Sequence, residues 1–518
     1  MHLRFVFKQL GRLVAVLGLL LTAVAAFSGI ELLRDHDEEK HALFGLLLAA
    51  AIAVVIAAAL WAATRSARQQ LGRREALILV ALSWLLGAAL AGLPYLFWAH
   101  LAGEPHHRFG NPFDCYFEAM IGLTTTGATV LGGDWPIESI PRSLLLWRAF
   151  TQWIGGLGIV VLFVAVLPSL GVGGKKLFRI EAPGPAPEGL QPQIRHTARV
   201  LLYIYFALTA AEFVCLLVAG MSAYDAACHT FTTLATGGFS TRDESIGYYP
   251  AAVHVIVIVF MVLAGVNFSL YFAVVRRKLS SVWRDPELRT YLILMTVGSI
   301  LVAGSLAGGS ITTTTGETVT ASTTEAIHIG LFTTVALSTG TGYCIADFDK
   351  WPFMAKAVLI VLMFIGGSAG STAGGIKVIR IWMAFKVMIS EIEHVFRPQV
   401  VRPVRVGNTI IDNNLKLGTL AYVLGIILLF AVGSAAVMLL ETNLNPNPAA
   451  GFDYTTAATA SLASLCNVGP GFGAVGATAN YGWMTSYTKL VLSLLMALGR
   501  LEVFAIIVLF TPRFWTTE

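Results

Sequence analysis

FDCYFEAMIGLTTTGATV, residues 113–130, opens with an acid, runs through a short helical stretch, and ends in threonines and a glycine. The plan recurs three times. Residues 224–241 read YDAACHTFTTLATGGFST, residues 324–343 read TEAIHIGLFTTVALSTGTGY, and residues 452–473 read FDYTTAATASLASLCNVGPGFG. Asp114, Asp225, Glu325 and Asp453 stand where a helix N-terminus favours negative charge. Each helical stretch is too short to cross a bilayer and lies between two longer apolar runs, so it reads as re-entrant. An internal repeat decides the architecture before any single motif does.

The rest of the chain fits that reading. Apolar residues make up 56% and charged residues 13%, against roughly 25% charged in soluble domains. Runs such as 14–33, 42–62, 144–167 and 200–218 reach the roughly 20 residues that span a bilayer core. The first run lacks a small-residue cleavage site and is closely followed by a second, so it reads as a span and not as a signal peptide. The expected fold is an all-α polytopic membrane protein. A leading two-helix unit (1–70) precedes four pseudo-symmetric helix–pore-loop–helix units around a central pore. Their expected bounds are 71–180, 181–280, 281–400 and 401–518, the third interrupted by the glycine-rich stretch 366–375.

Lys and Arg cluster at every second connection: Lys8 and Arg12; Arg65, Arg68, Arg73 and Arg74; Lys175, Lys176, Arg179, Arg195 and Arg199. Further clusters are Arg276, Arg277, Lys278, Arg284 and Arg289, then Lys386, Arg397, Arg402, Arg405 and Lys416. The positive-inside rule assigns these connections, and both termini, to the cytoplasm. Alternation of the charges with spans argues against nucleic-acid binding. Cys115, Cys215, Cys228, Cys344 and Cys466 form no CxxC pair, so they read as packing residues and no zinc or redox site is expected. No nucleotide-binding loop is present, so no cofactor is expected on this chain.

The glycine turns suit a cation. A bare cation in hydrocarbon costs tens of kcal/mol by the Born estimate, so something must replace its water. Rings of backbone carbonyls do so in selectivity filters. Irregular backbone at membrane depth is tolerated where it lines a cavity or is buried in protein. A half-helix pointing its C-terminus at the axis adds about half a negative charge. Thr125, Thr126, Thr236, Thr341 and Asn467 offer further oxygens or brace the turns. The competing reading is ordinary small-residue helix packing, which sits within spans and not after half-spans.

Four further stretches carry a family resemblance: 153–159 (WIGGLGI), 170–174 with 181–184 (LGVGG, EAPG), 369–377 (AGSTAGGIK), and 498–504 leading to 510–515 (LGRLEVF, FTPRFW). Over essentially its whole length the sequence resembles the TrkH-type membrane subunits of the Trk/Ktr/HKT potassium transporter superfamily. The resemblance implies K⁺ transport, with Rb⁺ or Na⁺ as possible companions, in a bacterial cytoplasmic membrane. It also implies a homodimer and a cytosolic nucleotide-binding regulatory subunit of TrkA type. The family's central filter glycines fall on Gly127, Gly238, Gly342 and Gly469. The preceding pairs are Thr125 and Thr126, Thr236 and Gly237, Gly340 and Thr341, and Asn467 and Val468. In the third unit Gly340 and Gly342 compete, so that register is open by two residues.

The second span of unit three is interrupted by GGSAGSTAGG, residues 366–375. Each glycine weakens a helix by nearly 1 kcal/mol relative to alanine. The resemblance makes this stretch, with Gly366, Gly367, Gly370, Gly374 and Gly375, an obstructing loop below the filter; a glycine packing surface is the alternative. The resemblance puts Arg500 beside the loop, as a barrier to cations. Pairing of Arg500 with Glu502 or another acid is the alternative. Lys377 and Arg380 read as topology charges or loop anchors. Glu118 and Glu212, within apolar runs, are expected to pair locally, with a role in the ion path as the alternative. His229 and His328 occupy similar places in two half-helices, which raises a metal site or proton relay against simple packing. No metal other than K⁺ is expected. A Na⁺- or H⁺-coupled symporter, an intramembrane enzyme and a membrane scaffold are the rival readings.

Overall fold

The structure, a computed structural model, describes residues 2–67, 72–165, 190–399, 403–407 and 409–516. The motifs at 170–174 and 181–184, and Arg68, Lys175, Lys176, Arg179 and Arg402, lie outside the described residues. Two antiparallel-packed helices lead: α1 (Leu3–Leu32) and α2 (Glu39–Ala63). Then come α3 (Arg73–Leu101), the short α4 (Pro112–Thr124), α5 (Arg142–Ala165) and α6 (Leu190–Val218). The short α7 (Ala223–Leu234) is followed by α8 (Ala251–Ala264) and α9 (Phe268–Val275). Next are α10 (Pro286–Leu306), the short α11 (Thr323–Ser338), α12 (Phe353–Phe364) and α13 (Val378–Phe396). Then follow α14 (Asn413–Leu444), the short α15 (Tyr454–Cys466), α16 (Ser486–Arg500) and α17 (Phe504–Ile507), before a last turn of helix at Pro512–Trp515. A small hairpin pairs Ser310–Thr312 with Thr318–Thr320.

Among the described residues, α1, α2, α3, α6, α10 and α14 are long and apolar enough to cross a membrane. Their outer faces expose residues such as Leu19, Val55, Leu424 and Leu428, as lipid contact requires. The four short helices have 12 to 16 residues, about 18–24 Å at 1.5 Å per residue, less than the ~30 Å core. Each begins at a side-chain cap. Asn111 accepts from Phe113 N–H before Pro112, Ser222 from Asp225 N–H, and Asp453 from Thr456 N–H. Ser322 and Glu325 form a reciprocal capping box. Such caps satisfy N–H groups that the helix cannot.

The leading pair is tied to the first unit by buried carboxylates. Glu39 accepts from Ser28 Oγ at 2.7 Å and from Ser143 N–H at 3.0 Å, and Glu31 pairs with Arg142 at 2.6 Å. Four of the cysteines are buried, and Cys215 is exposed on the apolar face of α6.

The second spans that follow α7 and α15 are broken. Helix α8 bends by 94° into α9, and α16 bends by 111° into the segment Phe504–Phe510. Gly265 and Asn267 explain the first break: Asn267 Oδ1 caps α9 by accepting from Ser269 N–H at 2.9 Å. The second break places Glu502 (φ 61°) and Val503 (φ 53°) in the left-handed region, an outlier for a β-branched residue. Arg500 lies at the C-terminal end of α16, just before this break.

Candidate functional site

The four short helices end in turns of one conformation. Thr125 (φ 52°), Thr236 (φ 51°), Gly340 (φ 73°) and Asn467 (φ 52°) are left-handed. Two residues on, so are Gly127 (φ 81°), Gly238 (φ 75°), Gly342 (φ 76°) and Gly469 (φ 100°). The N–H groups of Thr125, Thr236, Gly340 and Asn467 each donate three residues back, to Gly122, Thr233, Leu337 and Ser464, at 2.9–3.3 Å. In backbone terms Gly340 thus matches Thr125, and Gly342 matches Gly127. Three non-glycine residues hold a conformation that costs roughly 1–2 kcal/mol each, which surrounding structure must offset.

The turns touch in cyclic order. A Cβ on Gly127 would stand 2.3 Å from the Gly237 carbonyl oxygen, and one on Gly238 would stand 1.8 Å from that of Thr341. A Cβ on Gly342 would stand 2.1 Å from the Val468 oxygen, and one on Gly469 would stand 2.5 Å from the Thr126 oxygen. Each central glycine therefore meets the carbonyl just before the next central glycine, and the fourth closes on the first. Both backbone conformation and space demand glycine at these positions.

Side chains hold the ring from behind. Thr124 and Thr126 hydroxyls lie 2.8 Å apart, as do those of Thr339 and Thr341. Asn467 Nδ2 donates to Thr126 Oγ1 at 2.9 Å. Gln152 Nε2 donates to the Gly237 carbonyl at 2.8 Å, and Tyr481 donates its hydroxyl to Gly469 O at 2.9 Å. A carbonyl has two lone pairs, so such a brace leaves one for another partner. Buried Glu118 and Arg148 pair at 2.7 Å, and Glu118 also accepts from Val130 N–H at 2.9 Å. Asp114 pairs with Lys489 at 2.6 Å.

On one side of the ring an open vestibule of about 160 Å³ is lined by Gly127, Gly238, Gly342, Arg148, Arg242 and Asp243 among others. On the other side the chain between α12 and α13 leaves helical form at Ile365 and returns at Val378. Ile365 and Ile376 bridge in parallel to close this loop. A Cβ on Gly374 would stand 2.2 Å from Cys466 O, and one on Gly366 would stand 1.9 Å from Gly374 O. Gly367 packs on Gly265, and Gly370 (φ 68°) and Gly375 (φ 69°) are left-handed. The loop docks into the α8–α9 break: Ser368 N–H donates to Gly265 O at 2.9 Å, and Phe268 N–H to Gly370 O at 3.1 Å. Glu287 accepts from Ala369 N–H at 2.7 Å. Arg500 Nη1 donates to Thr372 O at 2.7 Å.

The other singled-out residues divide. Lys377 Nζ reaches Ala373 O at 2.5 Å, as a loop anchor would. Arg380 pairs with Glu502 and stacks on Tyr422 with 4.1 Å to the ring centroid. Glu502 is therefore not the partner of Arg500. Glu118 pairs locally as expected; for buried Glu212 no ion pair is found among the described residues. His229 and His328 do not meet. Gln152, Arg148, Glu287 and Asn267 were not singled out from sequence. Arg148 and Gln152 had a signal, being polar within the apolar run 144–167; the others had none beyond position.

A family model described as TrkH, cation transport protein, matches residues 44–516. The Trk system potassium uptake protein TrkH of Escherichia coli K12 is 35% identical over 515 residues, covering 98% of this chain and 99% of that protein. The Trk system potassium uptake protein TrkH of Halomonas elongata is 38% identical over 472 residues, covering 90% and 92%. The crystal structure of the potassium transporter TrkH from Vibrio parahaemolyticus matches with a TM-score of 0.84 at 30% identity, covering 100% of both chains. With its apolar spans and this match along nearly its full length, the chain belongs to the TrkH family of cation transport proteins, integral membrane transporters and not enzymes.

Proposed function

We propose that this chain is the ion-translocating subunit of a K⁺ uptake system in a bacterial cytoplasmic membrane. The observation that carries the reading is the closed cycle of contacts among Gly127, Gly238, Gly342 and Gly469. On this reading four pore-loop units share one axis, and a dehydrated cation replaces its water by the peptide oxygens of residues 125–127, 236–238, 340–342 and 467–469. The C-terminal ends of α4, α7, α11 and α15 favour a cation there and disfavour anions. Passage is driven by the membrane potential, worth about 2.3 kcal/mol per charge per 100 mV.

Below the filter the 366–375 loop obstructs the path, and Arg500 adds a positive charge to the barrier. Movement of the loop opens the path. The chain works as a homodimer with a cytosolic nucleotide-binding subunit of TrkA type, both termini facing the cytoplasm, and basic segments such as 396–405 offer docking surfaces. The names of its relatives, Trk system potassium uptake proteins, agree with this reading.

The test is rubidium-86 or K⁺ uptake by the purified protein in liposomes under an imposed potential. Uptake that follows the potential, and is unaltered by a Na⁺ or H⁺ gradient, supports the reading. Flux absent from active preparations, or tied to one of those gradients, counts against it.

A further inference from the structure

His328 has a partner that sequence did not indicate. His229 is closed off, with Nδ1 2.8 Å from Asp225 O and Nε2 3.0 Å from Ser240 Oγ. His328 instead faces His254 on α8, its Nε2 lying 3.0 Å from His254 Nδ1. The second nitrogen of His254 lies 3.0 Å from the Ile246 carbonyl oxygen. A carbonyl only accepts, so His254 Nε2 carries the proton and Nδ1 turns its lone pair towards His328. Without an ion, His328 Nε2–H donates to His254 Nδ1; a shift of that proton to His328 Nδ1 leaves two lone pairs converging on one point.

We infer that His254 and His328 form a two-imidazole site for a borderline divalent cation such as Zn²⁺ or Ni²⁺. Imidazole nitrogen suits these ions. The Ile246 carbonyl stands where ligating histidines commonly find the partner that orients them. Zinc–nitrogen bonds of about 2.0–2.1 Å at a tetrahedral angle separate two nitrogens by roughly 3.4 Å. The observed 3.0 Å needs to open by only a few tenths. Both rings are half-buried, so water can reach the ion and complete its shell. No third His, Cys, Asp or Glu joins the pair among the described residues, so binding is weaker than in a four-ligand structural site. The ion would tie the start of α8 to α11. Helix α8 carries at its other end the Ala264–Gly265 dock of the loop, and α11 leads into Gly340.

The test is calorimetric titration of the full chain in detergent with ZnCl₂ and NiCl₂, comparing His254→Ala, His328→Ala and the off-site control His100→Ala. The expected result is one binding event in the unmutated protein, unchanged in the control. It should weaken in both pair variants by more than the roughly tenfold to hundredfold that loss of an outer partner brings. Equal affinity in all four proteins, or loss confined to one pair variant, overturns the inference. Should a pair variant fail to fold, diethyl pyrocarbonate labelling of the unmutated protein decides. Zn²⁺ should protect His254 and His328 together, and equal labelling of both with and without Zn²⁺ overturns the site.

Discussion

Arg500 and Thr372 are joined by a hydrogen bond of 2.7 Å from Nη1 to the main-chain oxygen, with Arg500 only 3% exposed. A buried guanidinium within an apolar span is expensive, by about 2.5–3.5 kcal/mol on insertion scales, and here it tethers the loop. Arg500→Ala removes tether and charge together. K⁺ flux in liposomes should rise several-fold, with Arg500→Lys intermediate; unchanged or reduced flux in a folded Arg500→Ala protein contradicts the barrier role.

Deleting residues 368–373 removes the segment that docks through Ser368 and Thr372 on Ala264, Gly265 and Leu234. Basal K⁺ flux should increase and lose its response to the cytosolic nucleotide-binding subunit proposed above. Flux that is regulated as before would show that the loop does not gate.

Glu118 and Arg148 are 0% and 1% exposed and pair at 2.7 Å. Breaking a buried pair by removing one partner costs about 3–5 kcal/mol, because the other charge is left uncompensated. Glu118→Gln should therefore lower the thermal unfolding midpoint sharply, and Glu118→Gln with Arg148→Met should recover part of the loss. A midpoint within a degree or so of the unmutated value for Glu118→Gln would show that the pair is not sustaining the turn.

His107, in the connection before α4, is pushed down to about 4 by burial, with the Arg108 charge adding to the effect. It stacks edge-on against Trp98 and Trp135. Between the ordinary histidine value near 6.5 and about 4, the unfolded chain binds a proton that the folded one refuses. Stability should be level above that window and fall as pH drops through it, by at most about 3.5 kcal/mol at roughly 1.4 per pH unit. Unfolding of His107→Gln in detergent should lack this component; an identical acid slope in both proteins would contradict it.

Much of this architecture was legible because bilayer physics restricts the choices. Spans had to be apolar, half-spans had to be short, and the four glycine turns announced themselves by repetition. Only coordinates distinguish Gly340 from Gly342, since both are glycine and the choice lies in which N–H returns to which helical carbonyl. The α8–α9 and α16–α17 breaks were missed because one Gly–Val–Asn or Leu–Glu–Val step leaves hydropathy unchanged. The His254–His328 and Arg380–Glu502 pairs join residues 74 and 122 positions apart, and one sequence cannot reveal such a meeting.

Paired glycine substitutions test most directly whether the glycine ring selects the ion. Gly238 (φ 75°) and Gly308 (φ 75°) share one left-handed conformation, but a Cβ on Gly238 would meet Thr341 O at 1.8 Å whereas one on Gly308 meets nothing within 4 Å. The measurement is the K⁺/Na⁺ permeability ratio in liposomes for the unmutated protein, Gly238→Ser and Gly308→Ser. The account predicts a ratio collapsing towards one, or K⁺ flux lost, in Gly238→Ser alone. Unchanged K⁺ flux and an unchanged ratio in folded Gly238→Ser would contradict it.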